Sequence, residues 1–173
     1  MRAAFLDRDG TISRDYPDGI WKSMTEPELL PGAVEGMRRM LEMGYTLFII
    51  TNQYVIGEGF VTREEYERFA RRLLEKLKAQ GVQVAQVYHC PHRRDGGCDC
   101  CKPQTGMIRQ ALKDYPDIDV SRSFMAGDSW RDRELARRMG LRFFGMGMDE
   151  TDYGQAVASL KEAAAILEQE ERQ

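Results

Sequence analysis

Phe5-Leu6-Asp7-Arg8-Asp9-Gly10-Thr11 is the stretch on which the fold of this chain turns. Its lead-in, Ala3 to Leu6, is a short apolar run that predicts a buried strand. The run stops in two carboxylates one residue apart, before a glycine able to turn the chain. Two acidic groups at one strand end repel each other unless a cation lies between them, so the pattern points to a divalent-metal site. Asp-Gly alone is an ordinary turn signal, and the metal reading rests on what the rest of the chain supplies.

Working outward, the segment from Thr11 to Pro31 is polar and turn-rich, with Tyr16, Pro17, Gly19, Trp21 and Pro27 scattered through it. It reads as a long loop of the kind that carries function, with Trp21 available to cover the core. Val34, Met37, Met40 and Leu41 recur at helical spacing over Ala33 to Met43, and Gly44 supplies the stop. Tyr45 to Ile50 predicts a second buried strand, ending in Thr51-Asn52-Gln53, polar groups placed where α/β sheets bind ligands. Thr62 and Glu65 form a capping box for a helix whose apolar face is Tyr66, Phe69, Ala70, Leu73, Leu74 and Leu77, and Gly81 ends it. Val82 to Tyr88 predicts a third strand, Ser123 to Ala126 a fourth and Leu141 to Phe144 a fifth. Further helices are expected over Gln104 to Asp114 and from Tyr153 to Leu167, the latter with Ala156, Leu160, Ala163 and Leu167 inward; Glu168 to Gln173 is expected to fray. Strands alternating with helices predict a parallel sheet with helices on both faces and a site along the strands' carboxyl ends.

All four cysteines fall between Cys90 and Cys101, the wrong distribution for a disulfide framework. Cys90, His92, Cys98 and Cys100 offer three thiolates and one imidazole at spacing that closes a tetrahedral Zn2+ site with no open position, hence a structural one. Cys101 is a spare sulfur and an alternative ligand, and His89 reads as a strand-end residue. Lys102, held between this knot and Pro103, suits a point charge that meets a phosphate. In Gly127-Asp128-Ser129-Trp130-Arg131-Asp132, Asp128 and Asp132 are spaced to share a helical face. Asp128 can serve as an N-cap or, with Asp7, complete a Mg2+ site.

At 173 residues with 42% hydrophobic residues the chain is expected to form one domain, 1–173, with a substantial core. A net charge of -3 speaks against a nucleic-acid backbone as partner. Asp7 breaks the apolar start, and the longest apolar run is far too short to span a bilayer, so a cytoplasmic protein without membrane association is expected.

Asp7-Arg8-Asp9-Gly10-Thr11, the hydrophobic run into Thr51-Asn52-Gln53, Lys102-Pro103 and Gly127 to Asp132 resemble, in order and spacing, the four motifs of the haloacid dehalogenase superfamily. The loop from Cys90 to Lys102 is similar to the zinc loop of its capless branch, which contains heptose 1,7-bisphosphate and histidinol-phosphate phosphatases. The resemblance implies a three-layer, Rossmann-like fold with no large cap domain, and a monomeric phosphatase of small phosphorylated metabolites. It implies that Asp7 attacks phosphorus to give an aspartyl phosphate, and that Asp9 is the general acid and base, protonated at rest. Mg2+ would be held by Asp7, the main-chain carbonyl of Asp9 and Asp128, with Asp132 behind them. Thr51 and Lys102 would hold the phosphoryl oxygens. Asn52, Gln53, Arg14 and Tyr54 are expected to bind substrate.

Two positions that are basic in the heptose-bisphosphate enzymes hold Cys101 and Ser129 here, leaving Arg131, Arg14 or Lys22 to replace the lost charge; Tyr54 narrows the pocket. A heptose-type sugar bisphosphate is the first substrate expected, ahead of histidinol phosphate or another small phosphomonoester. A DNA 3′-phosphatase would need a basic groove with stacking aromatics, which the acidic balance disfavours.

Overall fold

The computed structural model describes residues 1–172. Six strands, β1 (Arg2–Leu6), β2 (Tyr45–Asn52), β3 (Gln86–Cys90), β4 (Phe124–Gly127), β5 (Arg142–Met146) and β6 (Gln155–Val157), form one sheet. They lie in the order β3-β2-β1-β4-β5-β6, and every pairing is parallel. The helices are α1 (Ala33–Glu42), α2 (Tyr54–Gly57), α3 (Arg63–Ala79), α4 (Gly106–Asp114), α5 (Trp130–Met139) and α6 (Leu160–Glu171).

Strand β1 shows why the sheet is buried on both sides. Ala4 and Leu6 face a core shared with Met37 and Met40 of α1, Leu73 and Leu77 of α3, and Leu160, Ala163 and Leu167 of α6. Ala3 and Phe5 face the opposite core, with Met107, Ile108 and Ala111 of α4 and Leu135 and Ala136 of α5. Three layers result, as expected from the sequence. The strand order reverses between β1 and β4, and ligand crevices of such sheets open at this switch point, above the strands' carboxyl ends. Among the described residues, no helix is long and apolar enough to cross a membrane.

The structure corrects several boundaries. The third strand starts at Gln86, not Val82, because its register runs from Phe48↔Gln86 to Asn52↔Cys90; Val82 is instead buried in the core shared with Leu73 and Leu77 of α3. A sixth strand, β6, occupies the start of the expected closing helix, which begins only at Leu160 behind its cap Ser159. Glu168 to Glu171 remain helical and pair with Arg39, Arg142 and Arg2 rather than fraying; Gln173 lies outside the described residues. The expected loop from Thr11 to Pro31 contains a 3₁₀ turn, Asp18–Ser23, that buries Trp21 against Phe69. The capping box of Thr62 and Glu65 is present as expected.

Candidate active site

Three strand ends, those of β1, β2 and β4, and the loop after β3 deliver the reactive groups. β1 passes into Asp7 and a tight turn, in which the carbonyl of Arg8 accepts the amides of Ile12 and Ser13 at 2.9 and 3.0 Å. Gly10 sits in this turn at φ 87°, and a Cβ there would lie 1.9 Å from Asp128 Oδ2. Only glycine lets the β1 turn approach the β4 turn this closely. Asp7, Asp9, Thr51, Asn52, Gln53, Tyr54, Lys102 and Asp128 line one cleft of about 260 Å³, with Asp15, Trp21, Arg94, Cys101, Ser129 and Arg131.

Lys102 is buried at the cleft floor and uses all three of its protons. Its Nζ donates to Asp7 Oδ1 at 2.6 Å, Asp132 Oδ1 at 2.7 Å and the Ile50 carbonyl at 3.0 Å. Burial works against the ammonium, but Asp132 and Asp7 more than offset it and raise its pKa. Asn52 grips the same lysine by its main chain: Oδ1 accepts from the Lys102 amide at 2.8 Å and Nδ2 donates to its carbonyl at 3.3 Å. Asn52 thus braces Lys102, a role not foreseen for a residue expected to bind substrate.

Asp7, Asp128 and Asp132 each bring a carboxylate oxygen to within 4.8 Å of the others. Burial, above all, pushes Asp7 well up, against the pull of Lys102. Asp128 is pushed to about 6 by burial and by the charge of Asp132. Hard oxygen donors whose charges burden one another are the donor set that Mg2+ accepts, so the residues fit that ion. Asp128 is not an N-cap: Ser129 caps α5, and Asp132 closes a capping box with it, its Oδ2 accepting from the Ser129 hydroxyl at 2.6 Å. Asp132 therefore spends its oxygens on Lys102 and Ser129.

Asp9 accepts three hydrogen bonds, from Arg8 Nε (2.8 Å), Arg8 Nη2 (2.9 Å) and Gln53 Nε2 (2.8 Å). Gln53 Nε2 also reaches Thr51 Oγ1 at 3.0 Å. All three partners are donors, so both carboxyl oxygens of Asp9 are held in place. Arg8 itself is 2% exposed. Its guanidinium carbon lies 5.4, 5.5 and 5.2 Å from the ring centres of Trp21, Tyr66 and Phe69. Its Nη1 has no hydrogen-bond partner among the described residues, a desolvation cost of about 1–3 kcal/mol that the three rings partly offset.

On the rim, Arg94 stacks over Tyr54 at 4.2 Å and pairs with Glu58 at 2.6 Å and Asp18 at 3.2 Å, while the Tyr54 hydroxyl donates to Asp18 at 2.9 Å. Arg94 is thereby neutralised. Arg131, stacked on Trp130 at 5.0 Å, is in no ion pair among the described residues. Arg14 does not reach the cleft: the Ser13↔Leu29 bridge turns it outward, where it pairs with Glu28 at 3.2 Å. Lys22 faces a separate small chamber beside α3. Arg8, Asp15 and Arg94 were not anticipated as site residues. The one legible signal was an arginine between two aspartates at a strand end.

Beyond β3, Cys90 Sγ lies 3.4 Å from His92 Nδ1, 3.5 Å from Cys98 Sγ and 3.0 Å from Cys100 Sγ; His92 Nδ1 lies 3.1 Å from Cys100 Sγ. Three sulfurs and one nitrogen, all within 4.8 Å of one another, form a donor set that fits tetrahedral Zn2+. Burial raises the Cys90 thiol. Cys98 is lowered to about 7, since hydrogen bonds from the Cys101 amide and the neighbouring thiols outweigh its burial. Cys101 stands apart from this set and lines the cleft instead.

Residues 99–169 match the model of the HAD-hydrolase-like family. Over 144 residues the chain is 36% identical to a probable D-glycero-D-manno-heptose-1,7-bisphosphate 7-phosphatase of Thermoplasma volcanium, covering 83% of this chain and 97% of the relative. It is 39% identical over 132 residues to the D-glycero-beta-D-manno-heptose-1,7-bisphosphate 7-phosphatase of Pseudomonas aeruginosa, covering 76% and 73%. The crystal structure of D,D-heptose 1,7-bisphosphate phosphatase from B. bronchiseptica, complexed with magnesium and phosphate, superposes with a TM-score of 0.85 at 25% identity, covering 98% of this chain and 99% of that one. With its motifs gathered at the switch point of a six-stranded parallel sheet, the chain belongs to the haloacid dehalogenase-like phosphatases, in the family of the D-glycero-D-manno-heptose-1,7-bisphosphate 7-phosphatases.

Proposed function

We propose that this protein is a Mg2+-dependent phosphomonoesterase that acts through an aspartyl phosphate on a sugar bisphosphate of the heptose 1,7-bisphosphate kind. The observation that carries the reading is the convergence of Asp7, Asp9, Thr51, Lys102 and Asp128 on one cleft. Lys102 occupies Asp7 Oδ1, which leaves Oδ2 as the oxygen for in-line attack on phosphorus. Asp9 carries a proton to the leaving alkoxide, then takes one from the water that hydrolyses the intermediate. Thr51 holds a phosphoryl oxygen as charge develops, and Lys102, its protons committed to Asp7, Asp132 and the Ile50 carbonyl, lends its positive charge beside the nucleophile. Asp7, the Asp9 carbonyl and Asp128 would hold Mg2+, which when bound neutralises phosphate against an anionic nucleophile. Cys90, His92, Cys98 and Cys100 would hold a structural Zn2+.

Arg131, a rim cation in no ion pair among the described residues, supports a second anionic group on the substrate. Asp15, also facing the cleft, favours a substrate with an amine, and keeps histidinol phosphate as the second reading. The test is phosphate release with Mg2+ from heptose 1,7-bisphosphate, histidinol phosphate, sugar monophosphates and a 3′-phosphorylated oligonucleotide. Preference for the bisphosphate, lost to background in Asp7→Asn, is the expected result. Equal rates on bisphosphate and monophosphates would refute the substrate, and undiminished release by Asp7→Asn would refute the covalent route.

A further inference from the structure

Arg8 has no part in the chemistry above, yet it is among the most confined side chains in the molecule. Its carbonyl is pinned by the amides of Ile12 and Ser13, and its guanidinium is enclosed by Trp21 from the 3₁₀ turn and by Tyr66 and Phe69 from α3. Held at both ends, Arg8 cannot follow Asp9; Asp9 must follow Arg8. The fork grips both carboxylate oxygens, and Gln53 adds a second donor to Oδ2. Oδ2 therefore has two partners and Oδ1 one, so Oδ1 is the oxygen with a lone pair left to accept a proton.

We infer that Arg8 is a positioning residue for the second half of the reaction, aiming Asp9 so that Oδ1 takes the proton of the attacking water. The inference rests on the aspartyl-phosphate reading. In that step the water oxygen bonds to phosphorus, the bond from phosphorus to the Asp7 oxygen breaks with its electron pair returning to Asp7, and the water proton passes to Asp9 Oδ1. The first half responds differently when the leaving group is nitrophenolate, which departs without needing a proton. Loss of Arg8 should then slow the second half alone.

The experiment is rapid-mixing release of nitrophenolate from p-nitrophenyl phosphate, with Mg2+, by wild type, Arg8→Met and Arg8→Lys. Arg8→Met is expected to give a burst near one equivalent per active site, then turnover slower than wild type by about tenfold to a hundredfold, the range for a misplaced general base. Arg8→Lys keeps the charge but not the fork and is expected to show the same burst. Acid quenching should trap more phosphoenzyme in both variants than in wild type. Wild-type turnover in Arg8→Met, or burst and turnover lowered by one common factor, would overturn the inference and leave Arg8 a purely structural residue. Failure to trap phosphoenzyme in any of the three proteins would overturn the aspartyl-phosphate reading, and the inference with it. Should Arg8→Met not fold, Trp21→Leu removes one wall of the enclosure from a surface turn. A burst with turnover reduced about threefold, the scale of one cation–π contact, supports the inference, and unchanged turnover overturns it.

Discussion

Replacing Lys102 by methionine isolates the charge that holds the cleft floor together. The side chains keep nearly the same length and volume, so packing is preserved, but the ammonium between Asp7 and Asp132 disappears. The three side chains are 4%, 8% and 1% exposed, so water cannot solvate the carboxylates left behind. Breaking a buried ion pair by removing one partner costs about 3–5 kcal/mol. Asp7, already pushed up by burial, can take up a proton and relieve part of this, which places the expected loss near the lower bound. For a chain of this length about 3 kcal/mol corresponds to a fall in Tm of roughly 6–12 °C. The assay is thermal unfolding in EDTA and again in Mg2+. Since Asp7 and Asp128 are the oxygens that fit the ion, Mg2+ should restore part of the loss. A fall under about 3 °C in EDTA, roughly 1 kcal/mol, would refute the view that Lys102 neutralises two buried carboxylates.

Three further outcomes follow from separate parts of the molecule. Gly36→Ala places a Cβ 2.3 Å from the Leu160 carbonyl carbon; forcing α1 from α6 should cost about 1–3 kcal/mol despite the better helix propensity of alanine, read as a lower urea midpoint. Arg39 grips Glu168 through two bonds of 2.7 and 2.5 Å and holds its carboxyl below the usual range. A lowered folded pKa gives stability that is present above the unfolded value and lost as pH falls through the folded one, so the deficit of Glu168→Gln should shrink from about pH 7 to about pH 3 in urea titrations. Arg131→Ala should raise KM for the sugar bisphosphate about tenfold more than for a monophosphate, the worth of one charge-assisted contact to phosphate.

The sequence revealed the elements whose signals are local and hid those defined by distant partners. The apolar run into Asp7 and the box of Thr62 and Glu65 each carry their signal within a few residues, and both stand as expected. The edge strand β3 does not: its start is set by where β2 offers partners, and the alternation of Val82 and Val84 marks core contacts before pairing begins. β6 is three residues long, too short for any period to register, so Ala156 was read into the helix that follows. Glu168, Glu170 and Glu171 look like a solvated tail until their arginines on α1, β5 and β1 are in place. In the site, residue type and spacing brought Asp7, Lys102 and Asp128 together but could not place Arg14, because a two-residue bridge decides which way it faces.

With zinc bound as proposed, the cysteine cluster and the lysine would act as one device. Between β3 and α4 the chain from Pro91 to Thr105 has no regular element, and a free loop of that kind would not hold an ammonium between two carboxylates. A zinc ion on Cys90, His92, Cys98 and Cys100 would tie both legs of the loop to the end of β3, and Lys102 follows the last of the four, Cys100, by two residues. Asn52 then clamps the Lys102 main chain to the end of β2. If the knot acts on catalysis by placing Lys102, Cys98→Ser should lose bound zinc and slow phosphate release, while Cys101→Ser keeps one zinc per chain. Combined with Lys102→Met, which alone should cost about a hundredfold or more in rate, Cys98→Ser should add little, because the group it positions is already gone. Multiplying losses in the double variant would mean that the knot serves the cleft by another route, and the link from zinc through Lys102 to Asp7 would fail.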